Sequence, residues 1–165
     1  MVSNFLEGYH VPHVHPALNA LIDYRSYTTE CARWYSLQRS PLDQAVSFYG
    51  AGEVMYYYLW PNTMLNILPG RLQTNHVVPL GVDRCRIDFD YFYAPGLAEE
   101  HAARIAQDQD LAEITQQEDI DICERVQRAF VSGSYTVGRV HPTREQGIHH
   151  FQELYRAAMG ACSLR

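Results

Sequence analysis

Residues 84 to 93 read Arg-Cys-Arg-Ile-Asp-Phe-Asp-Tyr-Phe-Tyr, and this two-residue rhythm is the tightest constraint the chain places on its own folding. Cys85, Ile87, Phe89, Tyr91 and Tyr93 fall on one side and Arg84, Arg86, Asp88 and Asp90 on the other, as side chains of an extended strand must. A sheet with one buried face is therefore required. From about 47 to 94 the chain is rich in Tyr, Val, Phe and Trp, and Pro61-Asn62, Pro69-Gly70 and Gly81-Val82-Asp83 supply turns between strands. The spacing predicts an antiparallel meander.

On either side the period changes. Residues 1 to about 45 read as helical and irregular, with Pro12 and Pro16 breaking the first helix and Ser40-Pro41-Leu42-Asp43 reading as a helix cap. After Pro95-Gly96 a helix is expected near 97 to 109, another opened by Thr115-x-x-Glu118, and a last opened by Thr143-x-x-Gln146, the latter two being capping-box patterns. In the last, Ile148, Phe151, Leu154, Tyr155, Ala158 and Cys162 recur at helical spacing and are expected to cross the sheet's apolar face. The expected class is α+β, as a single domain over residues 1–165.

Composition narrows the function. With 47% hydrophobic residues the chain has material for a real core, and a net charge of -6 with only 13 Lys+Arg opposes a nucleic-acid or anionic-membrane partner. A small-molecule substrate is expected instead. The longest apolar runs, such as Met55 to Pro61, are too short to span a bilayer, and no signal-peptide pattern opens the chain, so a cytoplasmic location is expected. Cys31, Cys85, Cys123 and Cys162 are widely spaced and are read as reduced and mostly buried.

Chemistry concentrates at the start, where Asn4, Glu7, Tyr9, His10, His13 and His15 crowd together. Two histidines joined by a distant carboxylate, Asp119, make a ligand set that leaves positions open on a non-haem iron(II) ion for O₂ and substrate. On a helix Glu7 and His10 share a face, where the carboxylate could fix the imidazole's tautomer. His10 and His15 stand roughly 140° apart on a regular helix, so they converge only if the backbone departs from it, for which Pro12 is the candidate. His13, three residues after His10, competes as a ligand. Asp119 would also suit a helix's first turn through the macrodipole alone, and spacing does not choose between these readings.

Asn4-Phe5-Leu6-Glu7-Gly8-Tyr9-His10-Val11-Pro12-His13-Val14-His15 resembles the iron-binding motif of the catalytic α-subunits of Rieske non-haem iron ring-hydroxylating oxygenases. Trp60-Pro61-Asn62, Leu72 to Leu80, Asp88-Phe89-Asp90-Tyr91-Phe92, Glu118-Asp119-x-x-x-x-Glu124-x-x-Gln127 and His149-His150-Phe151 also look like that family's C-terminal domain, particularly the branch that includes choline monooxygenase. The resemblance implies His10, His15 and Asp119 as ligands of a mononuclear Fe(II), Glu7 as the carboxylate bridging to an incoming electron carrier, and Tyr9 beside the first ligand. His13 then falls in the gap between ligands. The implied fold is the helix-grip type, an antiparallel sheet wrapped on a long C-terminal helix.

The implied activity is oxygenation, by a mono- or dioxygenase route, of an aromatic ring or a quaternary ammonium compound. No residues here match the family's [2Fe–2S]-binding Rieske domain, so a truncated catalytic domain is expected, with an open sheet edge and with electrons from a separate Rieske or ferredoxin partner. Relatives of this kind commonly form homotrimers. Two other classes remain open at this level: a helix-grip module that binds a hydrophobic ligand with vestigial histidines, and a plain interaction subunit.

Overall fold

The computed structural model describes residues 1–45, 47, 49–96, 102–135 and 137–163. Three short helices, α1 (Val2–Phe5), α2 (Val11–Val14) and α3 (Pro16–Leu21), lead into six strands: β1 (Thr28–Cys31), β2 (Tyr35–Pro41), β3 (Glu53–Leu59), β4 (Thr63–Leu68), β5 (Arg71–Pro79) and β6 (Cys85–Tyr93). Two helices follow, α4 (Ala102–Val131) and α5 (Gln146–Ser163). The strands form one antiparallel sheet in the order β1-β2-β3-β4-β5-β6, a pure meander. The class is α+β. Among the described residues no helix is long and apolar enough to cross a membrane.

The β6 alternation holds: Ile87, Phe89, Tyr91 and Tyr93 are half-buried while Arg86, Asp88 and Asp90 face solvent. Cys85, which opens this edge strand, and Cys31, which closes the other edge strand β1, are exposed, and Cys123 is half-buried, so the expectation of mostly buried cysteines fails at the sheet edges. The side chain of Cys162 lies outside the described residues.

The expectation of helical and irregular structure over residues 1 to about 45 holds through α1, α2 and α3 and fails from residue 28, because residues 28–31 and 35–41 form β1 and β2. The inward residues of β2 are Ser36, Gln38 and Ser40, all buried, opposite Tyr58, Tyr56 and Val54 of β3. A strand whose core face is polar shows no hydrophobic period. Ser40 and Pro41 end β2 and cap no helix.

Two expected helices are one. The segment from Ala102 to Val131 contains neither Gly nor Pro, so nothing interrupts it, and Thr115 sits in its interior where no free N–H awaits a cap. Gly133, at φ 73°, ends it in the left-handed conformation that glycine adopts without strain. The part of the expected helix at 97–101 lies outside the described residues. In α5 the turn before the helix is closed by the ring of His141, whose Nδ1 accepts from the backbone of Thr143 at 3.3 Å and of Arg144 at 3.2 Å, so the Thr143 box is replaced. Ile148 and Phe151 pack inward, but Tyr155 and Ala158 are exposed: the neighbouring edge strand β1 has only 4 residues, too short to cover an 18-residue helix.

Two apolar clusters flank the sheet's inner face. One joins Val11, Leu21, Ile22, Leu42, Tyr49, Val54 and Leu68; the other joins Leu6, Tyr58, Met64, Val77 and Ile148. Between strands and α4 runs a buried ion pair, Arg71 Nε to Asp108 Oδ2 at 2.9 Å. Tyr93 donates to the same carboxylate at 2.7 Å, Tyr49 donates to its other oxygen, and Arg71 donates to Gln73. This network, absent from the sequence-based expectations, pins α4 to β5 and β6.

Two stability outcomes follow from these contacts. Asp108→Ala leaves the Arg71 charge buried and unpaired and is expected to cost about 3–5 kcal/mol in chemical denaturation, with Arg71→Met in the same chain recovering much of it. A Cβ on Gly147 would meet the Leu6 carbonyl oxygen at 2.6 Å, a backbone atom that cannot yield cheaply. Gly147→Ala is therefore expected to lower the melting temperature, its overpacking cost of about 1–3 kcal/mol exceeding the roughly 1 kcal/mol gained in helix propensity.

Candidate metal centre

The turn after α1 is organised by one carboxylate. Glu7, just beyond that helix, accepts the backbone N–H of His10 at 3.1 Å through Oε2 and holds His10 Nδ1 at 2.6 Å through Oε1. The pair meets through this turn and not along a helix face. His10 caps α2, in which Pro12 occupies a first-turn position that costs no hydrogen bond. The break comes at His15, at φ -118° and ψ 76°, where the following Pro16 disfavours helical backbone. One helical turn bounded by these departures brings the two rings to 5.1 Å between centroids.

Asp119 enters from α4. Its Oδ1 lies 3.0 Å from His15 Nε2 and 3.8 Å from His10 Nε2, and accepts from Asn4 Nδ2 at 2.6 Å. His15 is fully buried, and its other nitrogen, Nδ1, contacts Glu118 Oε2 at 2.7 Å. Each ring thus has a carboxylate on Nδ1 that favours the tautomer with its lone pair on Nε2. Burial opposes a charge on His15, but the hydrogen bonds and charges of Asp119 and Glu118 prevail and raise its pKa.

The three ligand atoms of His10, His15 and Asp119 lie within 4.8 Å of one another. Two imidazole lone pairs and a carboxylate oxygen converging in a buried space repel unless a proton or cation stands between them. The donor set fits a divalent metal, and two nitrogens with one oxygen leave positions open on iron(II). His13 is exposed and outside this group.

Tyr9 is not brought to the cluster. Its ring is 42% exposed and its hydroxyl donates to Glu145 Oε1 at 2.8 Å, with burial and that carboxylate pushing its pKa up to about 12. Two residues at the centre were missed as participants. Asn4 stood in the cluster without a role, and Glu118 was read as a cap. Consecutive carboxylates in the interior of a Gly- and Pro-free helix were the available signal, since neither serves a helix end there.

Beside the candidate ligands lies a cavity of about 130 Å³, comparable to the roughly 150 Å³ space that takes up benzene in an engineered core. Phe5, Tyr27, Tyr49 and Tyr56 contribute aromatic surface, and Leu18, Leu21, Leu68 and Leu111 aliphatic surface. Tyr56 packs edge-on to Phe5 at 5.9 Å, and burial raises its pKa to about 12. Gly8 lets the Tyr27 ring approach the turn that carries Glu7, since a Cβ there would lie 2.6 Å from it.

Comparison with known proteins agrees with this geometry. Residues 1–161 match the family described as "Ring hydroxylating alpha subunit (catalytic domain)". Chloroplastic choline monooxygenase of Arabidopsis thaliana is 35% identical over 153 residues, covering 90% of this chain and 36% of that enzyme. The carnitine monooxygenase oxygenase subunit of Escherichia coli is 27% identical, covering 93% of this chain and 44% of that subunit. The chain thus spans between a third and a half of the length of these relatives. A quaternary ammonium Rieske monooxygenase shares the fold at a TM-score of 0.76 and 24% identity, over 93% of this chain and 45% of that one. A crystal structure of such an enzyme with L-carnitine bound aligns at 0.71 and 25%, over 93% of this chain and 43% of that one. The helix-grip arrangement is therefore shared, although here the longest helix is the penultimate one. The chain belongs to the catalytic-domain family of ring-hydroxylating oxygenase α-subunits.

Proposed function

We propose that this chain binds a mononuclear iron(II) through His10, His15 and Asp119 and serves as the catalytic domain of a monooxygenase acting on a small quaternary ammonium compound. The convergence of those three ligand atoms, each imidazole backed by a carboxylate on Nδ1, is the observation that carries the reading. Iron(II) held there would supply O₂ activation for oxygen insertion into a substrate C–H bond. A quaternary ammonium substrate agrees with aromatic walls, whose ring faces attract cations, and with relatives named for choline and carnitine. Those names favour monooxygenation over the aromatic dioxygenation that the family's own name suggests.

The chain's residues have separable tasks in this reading. Glu7 keeps the proton on His10 Nδ1 and Glu118 keeps one on His15 Nδ1, so both Nε2 lone pairs stay available. Asn4 fixes the Asp119 carboxylate. The apolar walls exclude water from the reacting carbon. Electrons are proposed to come from a [2Fe–2S] Rieske or ferredoxin partner outside these 165 residues, with Glu7 as the bridging carboxylate. A quaternary ammonium Rieske monooxygenase of this fold is described as transferring electrons between subunits, and a homotrimer is the assembly proposed here. Free, exposed Cys31 and Cys85 suit the reducing cytoplasm.

Metal analysis after anaerobic reconstitution is expected to give about one iron per chain, abolished in His10→Ala, His15→Ala and Asp119→Ala. Iron retained undiminished by His10→Ala would overturn the ligand assignment. Glu118→Gln, which keeps the shape of the side chain, is expected to weaken iron binding about 10- to 100-fold in chelator competition. NADH-driven turnover should stay absent until a Rieske donor and its reductase are added.

A further inference from the structure

Three carboxamides line the cavity, each with one buried atom that has no hydrogen-bond partner among the described residues. Asn66 Oδ1, Asn75 Oδ1 and Gln116 Nε2 are each buried and unpaired. Asn66 lies on β4 and Asn75 on β5, with Asn66 opposite Gln73 and Asn75 opposite Met64, so both belong to the sheet's inward face. Gln116 approaches from α4, three residues before Asp119, which is about 4.5 Å along a helix axis. Buried amides are ordinarily paired, and three unpaired ones facing a single cavity call for an occupant.

The neighbouring polar groups do not need one. Gln73 already accepts from Arg71, and the Arg71 charge is balanced by Asp108 at 2.9 Å. Among the described lining side chains, the Arg71 charge is thus already taken. The unpaired atoms comprise two acceptors and one donor. A hydrocarbon satisfies none of them and a carboxylate offers acceptors only, whereas a hydroxyl accepts from the Gln116 nitrogen and donates to one of the two asparagine oxygens.

We propose that Asn66, Asn75 and Gln116 form a polar anchor that recognises a hydroxyl group on the substrate, making them specificity-determining residues for a hydroxylated quaternary ammonium compound. The inference rests on the quaternary ammonium reading above and narrows it.

Calorimetric titration at fixed metal content tests the anchor with three probes: choline, its hydroxyl-free isostere propyltrimethylammonium, and glycine betaine, which carries a carboxylate instead. The protein is expected to bind choline at least roughly tenfold more tightly than either other probe, the factor that follows from leaving buried polar atoms unpaired. In Asn75→Leu that preference over the isostere should fall to about twofold or less, with the isostere binding as before or better. Gln116→Met, an isosteric change on a good helix position, should reduce the preference in the same direction and keeps the test open if Asn75→Leu does not fold.

Equal binding of choline and the isostere to the unaltered protein would mean that trapped water satisfies the amides; the anchor would be overturned and the quaternary ammonium reading kept. Tighter binding of glycine betaine would mean that the amides turn their nitrogens to an anion, which also overturns the anchor alone. Absence of binding by all three ammonium compounds overturns both readings.

Discussion

The uninterrupted course of α4 is the constraint on which the rest depends. Thirty residues without Gly or Pro hold Asp108, Leu111, Ala112, Gln116 and Asp119 at helical spacing toward the sheet. At 1.5 Å per residue, Asp108 and Asp119 stand about 16 Å apart along the axis. One is locked to Arg71 and Tyr93, and the other meets the histidines. The ion pair thereby sets the position of a candidate metal ligand it never touches. A break at Thr115 would sever that relation, which is why a second helix start there is incompatible with the site.

The inner face of the sheet shows what such a site demands of a core. Gln38, Asn66, Arg71, Gln73 and Asn75 occupy inward positions among Val54, Met64, Leu68 and Val77. Polar residues at core positions cost stability unless paired or in use. Gln38 is paired with Phe5 and Tyr27, and Arg71 with Asp108. The apolar contacts are divided between two clusters, and residues of both line the cavity. Space for a ligand is therefore a property of where hydrophobic residues were withheld.

The same division decides how much was legible in the sequence. The strand Cys85–Tyr93 was plain because its apolar and charged residues alternate, and the turns at Pro69-Gly70 and Gly81-Val82-Asp83 were plain from their residue types. Strands β1 and β2 were hidden because Ser36, Gln38 and Ser40 replace apolar residues on the buried face. The candidate metal cluster was visible as a crowd of donors, but its members could be sorted only by resemblance to a family. Spacing could not distinguish His13 from His15, because the deciding feature is backbone geometry before Pro16. Glu118 was misread because a capping-box pattern has the same residues whether or not a helix begins there.

The two histidines hang from different parts of the fold. The segment carrying His10 is pressed against α5 through Leu6 and Gly147 and tied to its entry turn by Tyr9 and Glu145. His15 is gripped on both nitrogens by α4. In the reading proposed above, a metal ion held by both would rivet α4 to α5, so that loosening either helix would strain the joint. The position of His10 therefore follows α5 and its entry turn, while that of His15 follows α4.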